Sequence, residues 1–222
     1  MSDYSRSAEG FRCDECSEEM AMPLFCDHCG ANYPERRAMG PFAVLGVNAE
    51  FGLDPDLLER RELALAKRLH PDSWQSRGER KHKQAQLAWS AVNEALAKTQ
   101  DPFVRAETLL QGTDEATSGA LSDTPSVPQT FLLEQLELQE EIEDGVDDGR
   151  RKVLNKEVRR ALKELQRQLA GHFEIIEATQ DAGSAAGDAR IAALRASWTV
   201  VHMSRYWKNA QRALRSGAAQ AR

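Results

Sequence analysis

The sequence has no apolar run approaching the ~18 residues that a membrane-spanning helix needs. Its first residues, MSDYSRSAEG, lack the apolar segment of a secretory signal, which predicts a cytoplasmic protein with no membrane partner. Aromatic residues make up only 6% of the 222 residues, so a core must consist mainly of Leu, Ala and Val. Gly and Pro are sparse between residues 41 and 112 and again after 131, which favours an all-α fold.

A net positive charge is also missing. The formal charge is −6, which argues against nucleic acid as the main partner, because phosphate binding needs a basic surface. The charge is distributed unevenly, since residues 131–148 contain eight acidic residues and no basic one.

Cysteine is absent after residue 29. The four cysteines have the spacing C-x2-C-x9-C-x2-C, and they are Cys13, Cys16, Cys26 and Cys29. Two CxxC knuckles can present four thiolates to one tetrahedral ion, whereas disulfides are unfavourable in a reducing cytosol. We therefore expect residues 1–37 to form a module with structural Zn²⁺, because four thiolates leave no open position for catalysis. An iron–sulfur cluster at the same cysteines is the minor alternative.

Capping signals divide the next segment into helices. Asp54 and Pro55 predict a helix from about 55 to 69, with Leu58, Leu65 and Leu69 on its core face. Pro71 should end it, SWQSRGER reads as a loop, and a second helix is predicted from about 79 to 100. A short third helix should follow, capped by Asp101. These elements form a predicted domain over residues 41–111.

Residues 112–130 are rich in Gly, Ser, Thr and Pro and read as a linker. Three helical patterns follow, at about 131–147, 149–179 and 188–215, which predict an antiparallel three-helix bundle over residues 131–217. The first helix should place Phe131, Leu138, Ile142 and Val146 in the core. Its acidic residues should pair with the basic start of the second helix.

Two stretches are candidate docking surfaces. The first is His70-Pro71-Asp72, preceded by a basic arc on one helix face that comprises Arg60, Arg61, Lys67 and Arg68. A positive face can steer association with an acidic partner while a rigid loop supplies specific contacts. The alternatives are a simple helix end for the tripeptide and an ordinary solvated face for the arc.

The second candidate surface lies on the helix predicted at 131–147. Leu132, Leu133 and Leu136 fall away from its core stripe, among acidic residues, which is typical of a partner-binding patch. The alternative is a wider core, because each helix of a bundle contacts two others.

Taken in order, PFAVLGV, the basic helix, His-Pro-Asp, SAVNEAL and DPFVRAETLL resemble a J-domain. The last of these, together with FLLEQLELQEEIED, resembles the HscB family of iron–sulfur co-chaperones over about residues 41–215. Some relatives, notably mitochondrial ones, also have paired CxxC knuckles ahead of the J-domain. The sequence departs from the family where Ser73 and Trp74 replace the usual Lys-Phe, and where the linker is longer and more polar.

The resemblance implies a non-enzymatic co-chaperone. Such a protein binds an IscU-type scaffold, delivers it to a DnaK/HscA-type chaperone and stimulates that chaperone's ATPase through the His-Pro-Asp loop, which promotes cluster transfer. It also implies that the scaffold is bound by five residues of the acidic helix, Leu132, Leu133, Leu136, Glu137 and Glu140. A zinc-knuckle adaptor for nucleic acid, a general J-protein of another pathway and a hydrolase using His70 and Asp72 are the competing hypotheses.

Overall fold

The computed structural model describes residues 11–117, 121, 127–180 and 184–220. Its helices are α1 (Gly40–Leu45), α2 (Pro55–Leu69), α3 (Glu79–Gln100), α4 (Pro102–Gln111), α5 (Asp114–Thr117), α6 (Gln129–Asp144), α7 (Asp148–Ala178) and α8 (Ser184–Gln220). Two short 3-10 helices span Pro34–Met39 and Pro71–Arg77. The predicted all-α class is confirmed. Among the described residues, no helix is both long and apolar enough to cross a bilayer.

The chain forms two compact units, of which the first ends at Arg105 and the second begins at Ala106. In the first unit, strands β1 (Phe11–Arg12) and β2 (Glu19–Met20) pair antiparallel and open the cysteine-rich segment. Residues 1–10, part of the N-terminal segment predicted to be a zinc module, lie outside the described residues. Residues 11–33, which contain the four cysteines, are called the knuckle module below.

Helices α2 and α4 begin where the capping signals predicted. The Asp54 side chain accepts a hydrogen bond from the Asp56 backbone N–H at 3.0 Å, which satisfies one free donor of the first turn. The predicted core face of α2 is buried, since Leu58, Leu65 and Leu69 are all inaccessible. Asp101 caps α4 in the same way by accepting from the Phe103 backbone N–H at 2.9 Å.

The prediction of a loop after α2 is partly wrong, because Pro71–Arg77 forms a 3-10 helix. The ring of Pro71 fits the first turn of this 3-10 helix. His70 Nδ1 accepts a hydrogen bond from the Asp72 backbone N–H at 3.4 Å. Trp74 is the buried residue of this helix, at 2% exposure. The burial of Trp74 stabilises this 3-10 helix, which the local sequence predicts only as a loop.

In the second unit, α7 and α8 pack along each other, and α6 packs on α8. One shared core contains Leu154, Val158, Ala210 and Leu214, with Leu138, Ile142 and Val146 packed against it. Glu141 of α6 accepts two hydrogen bonds from the Arg150 guanidinium of α7, at 2.5 and 2.8 Å, so the expected pairing of acidic and basic helices is confirmed. Part of the predicted linker, 118–120 and 122–126, lies outside the described residues, while α5 forms within it and α6 begins at Gln129.

Candidate functional sites

The four cysteine sulfurs converge on one point. All four Sγ atoms lie within 4.8 Å of one another, with Cys13 and Cys29 3.6 Å apart and Cys16 and Cys26 3.7 Å apart. A tetrahedral ion with Zn–S bonds of ~2.3 Å requires S···S distances of about 3.8 Å. The donor set therefore fits a tetrahedral metal ion, which Cys13, Cys16, Cys26 and Cys29 would hold. The exposed His28 is not one of the four converging donors.

A tyrosine supports one of these sulfurs. The Tyr33 hydroxyl accepts from the Asp14 backbone N–H at 2.8 Å, which leaves its own proton free to donate to Cys13 Sγ at 3.2 Å. Burial opposes ionisation of Cys13, but the hydrogen bonds from Tyr33 and from nearby backbone N–H groups outweigh it and lower its pKa to about 6. Burial raises the pKa of Cys29 to about 12. The neighbouring groups thus stabilise a thiolate at Cys13, which is the form that binds metal.

The His-Pro-Asp tripeptide is at the surface. The side chains of His70 and Asp72 are exposed, and Pro71 is half-buried. The backbone around them is held by hydrogen bonds, in which the Ser73 N–H donates to the His70 carbonyl at 3.0 Å and His82 Nδ1 donates to the Pro71 carbonyl at 3.0 Å. The corner is therefore both accessible and anchored to α3.

The four cations of the predicted basic arc differ in their surroundings. Arg61 donates to the Leu45 carbonyl at 2.8 Å, and Arg68 pairs with Asp27 of the knuckle module at 2.5 Å. Arg60 lies 3.6 Å from Asp54, and Lys67 is exposed. Three of the four cations, Arg60, Arg61 and Arg68, thus have a partner within this unit.

On α6, the leucines away from the core are exposed. Leu132 is 37% exposed, Leu133 is 55% exposed and Leu136 is 54% exposed, and Glu137 and Glu140 are also exposed. The alternative of a wider core does not hold for these three leucines. In the same helix the buried position between Phe131 and Leu138 belongs to Gln135.

Sequence reasoning missed two features. Leu63 of α2 is 55% exposed, and its spacing from Arg60 and Lys67 by three and four residues places it beside them on the helix surface. The helical spacing was a usable signal for it. The contact of Trp74 with Phe25, whose ring centroids are 4.7 Å apart, had no such signal because 49 positions separate the two residues.

Comparison with known proteins finds similarity over most of the chain. Residues 127–215 match the family model described as the HSCB C-terminal oligomerisation domain. A co-chaperone protein HscB homolog of Haemophilus influenzae is 30% identical over 141 residues, which cover 63% of this chain and 80% of that protein. The crystal structure of human co-chaperone protein HscB superposes with a TM-score of 0.64 at 21% identity, covering 95% of this chain and 91% of that one. The chaperone HscB from Vibrio cholerae gives a TM-score of 0.54 at 27% identity, covering 82% of this chain and all of that one.

Proposed function

Because this chain belongs to the HscB family of co-chaperones, we propose that it couples an iron–sulfur scaffold protein to a DnaK/HscA-type chaperone. It binds the IscU-type scaffold, delivers it and stimulates the chaperone's ATPase through the His-Pro-Asp loop. In this role it acts in the cytoplasm as a binding protein and carries out no catalysis itself.

The observation that carries this proposal is the exposure of a hydrogen-bonded His70-Pro71-Asp72 corner at the end of α2. A fixed, accessible loop can bias a conformational equilibrium in a partner, which appears as a coupling free energy between that partner's nucleotide and substrate sites. On the preceding helix, the exposed Lys67 supplies positive charge and the exposed Leu63 adds apolar area. Arg60, Arg61 and Arg68 support the proposal less, because each has a partner within its own unit.

The scaffold is proposed to bind on α6, through Leu132, Leu133, Leu136, Glu137 and Glu140. Three exposed leucines among carboxylates form an apolar centre with a polar rim, which is the usual composition of a protein interface. A scaffold surface that is apolar and basic would complement it. The carboxylates give this face little affinity for nucleic acid, so it supports a protein partner.

The knuckle module is proposed to hold Zn²⁺ in a structural role. The sulfur geometry fits a four-thiolate tetrahedral site with no position for water. The Tyr33 hydroxyl donates a hydrogen bond to Cys13 Sγ. When bound, the ion would cross-link a segment whose own core consists of only a few side chains.

The chaperone arm is tested by ATP turnover. We expect wild type to stimulate a DnaK/HscA-type chaperone, the scaffold to increase that stimulation, and His70→Gln to reduce it by about tenfold, a usual size for coupling between two sites. The matched control is His28→Gln, which changes an exposed histidine outside the loop. Full stimulation by His70→Gln, or none by wild type, contradicts the proposal.

The scaffold arm is tested by binding. Replacing Leu132 and Leu136 together by Ala should weaken scaffold affinity by about tenfold or more, because truncation of central apolar contacts typically costs more than about 1 kcal/mol of binding free energy. Basal ATPase stimulation without scaffold should remain. The control variant, Val153→Ala with Ile175→Ala, removes similar exposed apolar area from α7. Equal losses in the two variants would mean that the α6 face is not the docking surface.

A further inference from the structure

The knuckle module packs directly on the helix that follows His-Pro-Asp. Phe25, which precedes Cys26 in sequence, is fully buried, and its ring meets the edge of Trp74 at a centroid distance of 4.7 Å and an interplanar angle of 78°. This edge-to-face geometry is one of the two favourable arrangements for a pair of aromatic rings. A residue adjacent to a cysteine ligand thus contacts the one buried residue of the Pro71–Arg77 helix.

The backbone of the second knuckle approaches the same indole. Gly30 has φ +81°, and a Cβ atom placed on it would lie 3.1 Å from Cζ3 of Trp74 and 3.2 Å from Cδ of Lys81. Its N–H donates to the Cys26 carbonyl at 2.9 Å, so its position is set by the turn that brings Cys26 and Cys29 together. Only glycine satisfies both the positive φ and the close approach.

Polar contacts surround this packing. Arg68 pairs with Asp27, whose other oxygen accepts from the Ala21 backbone N–H at 3.2 Å. Arg77 lies over the Trp74 ring at 4.3 Å and donates to the His28 carbonyl at 3.4 Å. The indole N–H of Trp74 donates to the Arg68 carbonyl at 3.3 Å. The residues on both sides of the tripeptide, Arg68 before it and Trp74 and Arg77 after it, are therefore held by the knuckle module.

We propose that the knuckle module is a positioning clamp for the His70-Pro71-Asp72 loop, and that metal binding at the four cysteines and ordering of the Pro71–Arg77 helix are reciprocally coupled through Trp74. The four sulfurs fix the turns that carry Phe25 and Gly30. Those two residues fix the indole, and the indole fixes the helix that begins at Pro71. Trp74 is a positioning residue, since it acts on the exposed loop from beneath and is not itself accessible.

Because the coupling is reciprocal, it can be tested by removing the metal and by changing the Pro71–Arg77 helix. If the metal orders the helix, then a substitution that disorders the helix without touching a cysteine should weaken metal binding. A purely structural metal site without coupling would leave the helix unchanged on metal removal, and would be indifferent to Trp74.

The first measurement is amide hydrogen exchange of the full-length protein. Removing Zn²⁺ with a chelator under reducing conditions should speed exchange of the backbone N–H groups of residues 73–77 by about tenfold or more, because their ordering contact is lost. Adding Zn²⁺ back should restore the protection. Phe25→Ala, which leaves all four cysteines in place, should reproduce the faster exchange with zinc still present.

The second measurement is zinc affinity, determined by competition with a chromogenic chelator. Trp74→Ala should weaken Zn²⁺ binding by about tenfold, whereas Trp74→Phe, which keeps the aromatic packing, should stay within about threefold of wild type. The matched control is Trp198→Ala, the same change at a half-buried tryptophan of the second unit. Unchanged exchange at residues 73–77 after zinc removal, or wild-type affinity in Trp74→Ala, overturns the inference.

Phe25→Ala keeps the inference falsifiable even if Trp74→Ala fails to fold, because it acts from the side of the knuckle module. Both measurements use this protein and Zn²⁺ alone, without chaperone or scaffold. The clamp can therefore be refuted while the proposed co-chaperone function stands, and the function can be refuted while the clamp stands.

Discussion

Buried polar groups are the clearest departures from the amphipathic pattern of α6 and α7. Gln135 is 7% exposed and occupies a core position on α6, and His172 on α7 has a buried Nδ1 with no hydrogen-bond partner among the described residues. A buried polar group without a partner costs roughly 1–3 kcal/mol. Such positions are therefore where single substitutions should stabilise the fold.

At His172 we predict a pH-dependent gain. Burial lowers the pKa of His172 in the folded state. Below about pH 6.5 the unfolded chain therefore binds a proton that the folded chain does not, so the free energy of unfolding decreases as the pH is lowered. His172→Leu should raise the free energy of unfolding of the second unit by about 1 kcal/mol and weaken its decrease between pH 7.5 and 5.5. Urea unfolding at the two pH values measures both effects. A variant that is less stable than wild type at pH 5.5 would contradict this account.

At the scale of elements, helix starts are set by short-range chemistry. Asp54, Asp101 and Asp147 each accept a hydrogen bond from a backbone N–H of the first turn that follows them. The residue responsible lies two or three positions from the donor, which explains why helix starts at 55 and 102 were predictable from sequence. Helix α6 ends earlier than predicted, at Asp144, where Gly145 adopts φ +95°.

The cap of α2 offers a direct test. Asp54→Ala should lower the free energy of unfolding of the first unit by about 1 kcal/mol, because one backbone donor of the first turn loses its partner. Asp56→Ala is the control, since it removes a carboxylate from the same turn without removing the cap. Urea unfolding should separate the two variants. If Asp56→Ala costs as much as Asp54→Ala, the effect is one of charge and not of capping.

At the scale of the whole molecule, the knuckle module and the second unit depend on different sources of stability. The knuckle module has a small core of Cys13, Met20, Cys26, Ala31 and Tyr33, whereas the second unit buries long apolar faces of α7 and α8 against each other. A segment this small usually needs a metal to fold. The extensive helix packing of the second unit has no such need.

Metal removal should therefore act unequally. Chelation under reducing conditions is expected to expose the backbone N–H groups of residues 13–33 to fast exchange, while those of α7 and α8 keep their protection. Peptide-level hydrogen exchange of the whole chain measures both in one experiment. Loss of protection in α7 and α8 on chelation would show that the second unit also depends on the metal.

The sequence by itself determined the features that depend on near neighbours. Helical periodicity, capping residues and the CxxC spacing predicted α2, α3 and α4, the core stripe of α6 and the convergence of four cysteines. It also placed Leu132, Leu133 and Leu136 on a different face of α6 from Leu138, because helix geometry fixes which residues share a face. These inferences needed no knowledge of distant contacts.

Only the tertiary structure decided which distant surfaces meet. That Phe25 and Gly30 pack on Trp74, and that Arg68 pairs with Asp27, follows from contacts between residues more than 40 positions apart. Those contacts converted a predicted loop into a 3-10 helix and removed one cation from the free basic arc. The physical reason is that such contacts depend on the shapes of two folded surfaces, which no local pattern of residues encodes.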